Sequence, residues 1–76
     1  MILAINRGSS SIKFAVYPES LEAPELSGSL DRIGTPGGVF RAWDSKHSPL
    51  VDQKLELPGH EAALTRLVDW LRSRVG

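Results

Sequence analysis

The residues best suited to chemistry crowd into one stretch, Ile5-Asn6-Arg7-Gly8-Ser9-Ser10-Ser11-Ile12-Lys13-Phe14. Gly8 has no Cβ, so backbone amides around it can come close to a ligand. Successive loop N–H groups can converge on an anion, and Ser9, Ser10 and Ser11 add hydroxyl donors. Lys13 brings an ammonium group to the same place. Asn6 offers a neutral amide oxygen suited to a hard cation such as Mg²⁺, directly or through water. Such a set could hold a metal-bound phosphate. A Gly/Ser loop that merely reverses the chain has the same composition, so the loop by itself leaves both readings open.

The stretch is not a Walker A loop. "GSSSIK" lacks the second Gly before Lys, Phe14 stands where Ser or Thr should follow, and a strand pattern continues where a helix is required. A P-loop NTPase is excluded on pattern. His47 and His60 have no set of neighbouring ligands, so structural or solvated roles are expected for both. No nucleophile–base pair can be picked out. Trp43 reads as a sheet aromatic covering core. Trp70 lies beside the helical apolar stripe and reads as a contact with neighbours outside the chain. Arg66, Arg72 and Arg74 read as a solvated helix face.

Strands and turns must position the loop. Ile2-Leu3-Ala4-Ile5 is a continuous apolar run, the pattern of a strand covered on both faces. Ile12, Phe14 and Val16 alternate with Lys13, Ala15 and Tyr17 in a second strand, so residues 2–17 read as a β-hairpin. Residues 18–24, with Pro at both ends, form a polar connection. Leu26, Gly28 and Leu30 alternate with polar neighbours in a third strand, closing at Ile33-Gly34. Thr35-Pro36-Gly37-Gly38 is a turn, residues 39–43 a fourth strand, and residues 44–49 another turn. Val51, Gln53, Leu55 and Leu57 share a face of a fifth strand. From His60 the period becomes helical: Leu64, Leu67, Val68, Leu71 and Val75 form one apolar stripe. Glu61 in the first turn and Arg72 and Arg74 in the last suit the helix dipole.

Bulk properties set limits. The 76 residues allow one small domain, which buries only about 60–65 % of its unfolded surface. Nine Lys+Arg balance nine Asp+Glu, so no global field points to nucleic acid or a membrane surface. The absence of Cys removes disulfide frameworks and thiolate metal sites. No stretch reaches the roughly 18 apolar residues of a membrane span. The start has neither a basic leader nor a long apolar core, so a cytoplasmic protein is expected. The chain stops directly after the helix, which is the expectation for a segment of something longer.

Three stretches together resemble the acetate kinase family (acetate, propionate and butyrate kinases). "ILAINRGSSSIKFAVY" is similar to its N-terminal signature, "LDRIG" to its Glu-Arg-Ile-Gly-like segment, and "LPGHEAALTRLVDWL" to its Asp-His-Glu-x-Ala-Leu helix entry. The resemblance implies an α/β protein of the actin-like ATPase superfamily, related to ribonuclease H. Residues 1–76 would be a single partial domain opening its first lobe: about five strands in a mostly antiparallel sheet and one C-terminal helix. It further implies ATP and Mg²⁺ as cofactors, with Lys13 and the turn Gly8, Ser9, Ser10 and Ser11 facing ATP and Asn6 serving the metal. The reaction implied is phosphoryl transfer between ATP and acetate or a similar short carboxylate.

No catalytic residue of the family falls within residues 1–76, so this segment alone is expected to be inactive. The implied partners are small molecules, not nucleic acid or membrane. A homodimer is expected at full length, with self-association of the short chain. Arg7 departs from the family's usual small residue, and Gly59 from its Asp or Asn. The alternative is a free-standing, non-catalytic binding or structural domain whose Gly/Ser loop is an ordinary hairpin turn.

Overall fold

A computed structural model describes residues 2–18 and 23–75. Among them, five strands precede one helix: β1 (Ile2–Arg7), β2 (Ile12–Tyr17), β3 (Leu26–Asp31), β4 (Val39–Asp44), β5 (Pro49–Lys54) and α1 (His60–Val75). The strands form one sheet in the order β1-β2-β3-β4-β5, each pair antiparallel. The expected α/β fragment, a mostly antiparallel sheet followed by a helix, is what the chain adopts.

Alternation divides the sheet into two faces. Ile12, Phe14 and Val16 of β2, Leu26 and Leu30 of β3, and Phe40 and Ala42 of β4 are buried on one face. Helix α1 covers that face with Ala63, Leu67 and Leu71. The opposite face carries Lys13, Ser29, Arg41 and Asp52, aligned across four neighbouring strands by the register. Arg41 and Asp52 form an ion pair there (3.3 Å), exposed enough to contribute no more than about 1 kcal/mol.

Several expectations need correction. β1 is exposed along its whole length, with Ile2 at 39 %, Leu3 at 38 % and Ile5 at 45 %. An apolar run reports what a strand is suited to, not where in the sheet it lies; β1 is an edge strand. Trp70 makes a core contact within the chain, packing edge-on against Phe14 and Phe40 with ring centroids 6.3 and 5.3 Å away. The Arg74 guanidinium lies 5.4 Å from the centre of the same ring, so this arginine is not purely a solvated charge. Trp43 pairs with Ser27 on the face away from the helix and so does not cover the core. Val68 is largely exposed; the side chain of Val75 lies outside the described residues, as does most of the connection 18–24.

β5 begins at Pro49, where the missing N–H is tolerated on an edge strand, after a register shift between Ala42 and Trp43. It ends at Lys54, short of the expected Leu57. The Leu55 amide donates to the Gly38 carbonyl and the Leu57 carbonyl accepts from Gly34. Residues 55–57 therefore leave the β4 ladder to close over the β3–β4 turn, which buries Leu57.

Two sites are sensitive to chemistry rather than size alone. Gly28 sits between Phe14 and Ala42 in the register. A Cβ there would lie 2.6 Å from Phe14 Cζ and against the Arg41 carbonyl oxygen. Gly28→Ala should cost about 1–3 kcal/mol through overpacking, read as a lower denaturant midpoint with unchanged slope. In the β4–β5 turn, the Asp44 carboxylate accepts the amides of Lys46 and Ser48, both at 2.9 Å. These bonds, Ser48's first, hold its pKa below the usual 3.8. A depressed folded-state pKa gives stability that is present above the unfolded value and lost as pH falls through the folded one. The stability advantage of the natural chain over Asp44→Ala should thus be constant near neutrality and shrink in acid, measured by thermal melts across the pH range.

Candidate functional site

The β1–β2 register places Asn6 opposite Lys13 and Arg7 opposite Ile12, with residues 8–11 closing the hairpin. Asn6 and Lys13 share the face away from the helix, and both are exposed. Alternation sends Arg7 from the other face, with Ile12. The extra cation that departs from the family pattern therefore leaves the strand from the opposite side to Lys13. Beside Asn6 and Lys13 is a shallow depression of about 240 Å³, lined also by Ala4, Ile5, Phe14 and Ala15. It is smaller than the roughly 300–1,000 Å³ of a small-molecule site, too small to enclose a nucleotide.

The loop is held from three directions. The Gly8 amide donates to the Ser11 carbonyl at 2.8 Å, closing the turn on itself. A Cβ on residue 8 would come within 2.7 Å of Ser11 Oγ, so this closure favours Gly. The Ile33 amide donates to the Ser10 carbonyl, also at 2.8 Å. Ile33 reaches it because Arg32 takes a left-handed backbone angle (φ 56°) that turns the next residue into the core. Finally, His60 Nε2 lies 2.9 Å from the Gly8 carbonyl oxygen, spanning 52 positions of sequence.

The three stretches singled out in the sequence thus meet at one point: the loop, Ile33 of "LDRIG" and His60 of "LPGHEAAL". Among the described residues, the amides of Ser9, Ser10 and Ser11 have no acceptor within the protein, and neither do their hydroxyls. Three of the four loop carbonyls, those of Gly8, Ser10 and Ser11, accept from protein donors, while the three serine amides remain unpaired and could meet an anion. Asn6 and Lys13 add an amide oxygen and an ammonium at the adjoining end of the sheet. No group of three His, Asp or Glu side chains converges on a metal position among the described residues.

Residues 1–75 match the Acetokinase family. The chain belongs to that family. It is 34 % identical over 71 residues to the acetate kinase of Macrococcus caseolyticus, covering 93 % of this chain and 17 % of that protein. It is 37 % identical over 68 residues to the acetate kinase of Desulforamulus reducens, covering 90 % of this chain and 17 % of that protein. For the acetate kinase of Helicobacter hepaticus the identity is 33 % over 73 residues, covering 96 % of this chain and 18 % of that protein. The chain spans less than one fifth of the length of the acetate kinases it matches.

No helix among the described residues is long and apolar enough to cross a membrane. Reading the sequence located the loop and its polar neighbours. It expected a structural or solvated role for His60, and the structure gives a structural one. The partner itself carries no local signal, because a histidine at a helix start looks the same whether or not a distant carbonyl lies within reach.

Proposed function

We propose that this chain supplies the N-terminal wall of a Mg-ATP site in an acetate kinase, as the opening segment of its first, actin-like lobe. The supporting observation is the set of unpaired loop amides next to the Asn6–Lys13 pair, in a chain of the Acetokinase family. In this reading the amides and hydroxyls of Ser9, Ser10 and Ser11, on the turn begun by Gly8, bind phosphate oxygens. Lys13 neutralises phosphate charge, and Asn6 orients the hydrated metal through its amide oxygen. Asn6 would hold Mg²⁺ beside the phosphates, where the cation would supply charge neutralisation during transfer.

The reaction forms a bond between a carboxylate oxygen of acetate, or a similar short acid, and the γ-phosphorus of ATP. The bond from that phosphorus to the bridging oxygen breaks, and ADP leaves with the electron pair. This segment would bind and orient, while the acceptor site would belong to the rest of an acetate-kinase-length chain. Alone it would be inactive. The setting is cytoplasmic, and the full-length protein a homodimer.

The test is a fusion in which residues 1–76 replace the matching segment of the Macrococcus caseolyticus acetate kinase. It should form acetyl phosphate with ATP and Mg²⁺. Lys13→Ala in that fusion should lower kcat/KM for ATP by about 10²–10³-fold, with little change in KM for acetate. Asn6→Ala should raise the Mg²⁺ concentration needed for half-maximal rate. A folded fusion in which Lys13→Ala leaves ATP kinetics intact overturns the proposal.

The isolated chain should also self-associate. β1 is an uncharged edge from Ile2 to Asn6 with exposed apolar side chains, lacking the Lys or Pro that usually guards such an edge. Sedimentation velocity should show association rising with concentration and weakened by Leu3→Lys. A strict monomer at high concentration would contradict this.

A further inference from the structure

We infer that His60 is the positioning residue of the hairpin loop: by donating from Nε2 to the Gly8 carbonyl, it fixes the direction of the Ser9 amide. A trans peptide is planar, with its C=O and N–H pointing opposite ways. The Gly8 carbonyl and the Ser9 N–H belong to one such unit. Drawing the carbonyl to His60 at 2.9 Å therefore turns the Ser9 N–H away from the helix. The same logic applies one unit further on. The Ile33 amide holds the Ser10 carbonyl, so the Ser11 N–H also points away from its anchor.

Gly8 is where this restraint matters most. A glycine peptide can rotate more freely than any other, and rotation here would present a carbonyl oxygen where a donor now stands. Ile33 is locked by burial in the core and cannot let go without disturbing it. His60 is half-buried, outside the core, with a single side-chain hydrogen bond, so it is the adjustable one. Its backbone is fixed because it opens α1, whose first intrahelical bond runs from the Ala63 amide to the Gly59 carbonyl. The bond to Gly8 requires a proton on Nε2, so the neutral ring must be the Nε2–H tautomer. Helix α1 and the loop are thereby joined by one hydrogen bond. The consequence for nucleotide binding rests on the phosphate-facing reading above; the orientation of the peptide does not.

The test uses the 76-residue chain labelled with ¹⁵N. A long-range proton–nitrogen spectrum should show the Nε2–H tautomer of His60; a bare Nε2 would refute the bond. His60→Leu should shift and broaden the Gly8 and Ser9 amide resonances while Ser11, held through Ile33, keeps its own. His60→Gln, whose side-chain NH₂ can reach the same carbonyl, should restore the natural Ser9 resonance. An unchanged Ser9 resonance in a folded His60→Leu chain overturns the proposal. If the Leu variant fails to fold, the Gln variant decides, because an altered Ser9 resonance there is equally fatal. In the fusion enzyme, His60→Leu should raise KM for ATP several-fold and leave KM for acetate unchanged. Loss of Ser9 order without a change in KM for ATP would uphold the positioning role and refute the phosphate-facing one.

Discussion

The register of β2 against β3 is the constraint on which everything else depends. Ile12, Phe14 and Val16 are buried to 4 % exposure or less, and each contributes about 1.5–3 kcal/mol relative to leaving it in water. A slip of one residue would expose all three and drive the Lys13 ammonium toward the helix. No comparable energy favours the alternative. The polar face is thus decided by the apolar one: Lys13 faces away from α1 because its neighbours cannot. Phe14 extends the same control, since its ring fills the space that Gly28 leaves and meets Trp70 from the helix. The core and the candidate site are two sides of one short strand.

A second constraint is the fate of backbone carbonyls in the loop. Oxygen atoms of Gly8, Ser10 and Ser11 each accept from a protein donor, supplied by α1, by the β3–β4 turn and by the loop itself. A loop with unanchored peptides would present donors and acceptors alike to a ligand, and an anion would meet repulsion as often as attraction. Anchoring three of the four carbonyls is a way to shift a short loop toward free donors without adding charged side chains. Arg7 is unnecessary to that effect, and it departs from the strand on the other side.

Much of this was legible in the sequence, because period-two and helical patterns depend on nearest neighbours. The hairpin and the third strand followed from alternation in "IKFAVY" and "LSGSLD", the fourth strand from "VFRAW" between two turns, and the helix from the helical period in "LTRLVDWL". The loop's residues and their partners Asn6 and Lys13 were legible for the same reason, since hairpin pairing brings them together. What escaped depended on distant contacts. The apolar run of β1 could not reveal an edge position, which depends on what pairs beside it. Leu55 and Leu57 kept the alternation of a strand while serving the β3–β4 turn. Trp70 lay off the idealised stripe, yet its long side chain reached two phenyl rings. His60 found its partner 52 residues away.

Magnitudes explain why one wall of a site is not a site. An ammonium about 4 Å from a phosphate charge gains roughly 1 kcal/mol in bulk water and about 4 kcal/mol where the effective dielectric falls to about 20. Lys13 stands exposed beside a depression too small to exclude water, so on the proposed reading it operates near the lower figure. The loop amides are in the same position, each exchanging water for a phosphate oxygen at little net gain. Their strength would come from enclosure, which a second wall supplies by removing water from both partners at once. A segment built this way can be well ordered, correctly oriented and almost without affinity. The physics asks only that it be rigid before the rest closes over it. A buried register, an anchored turn and a histidine tether at the head of the helix would provide that rigidity.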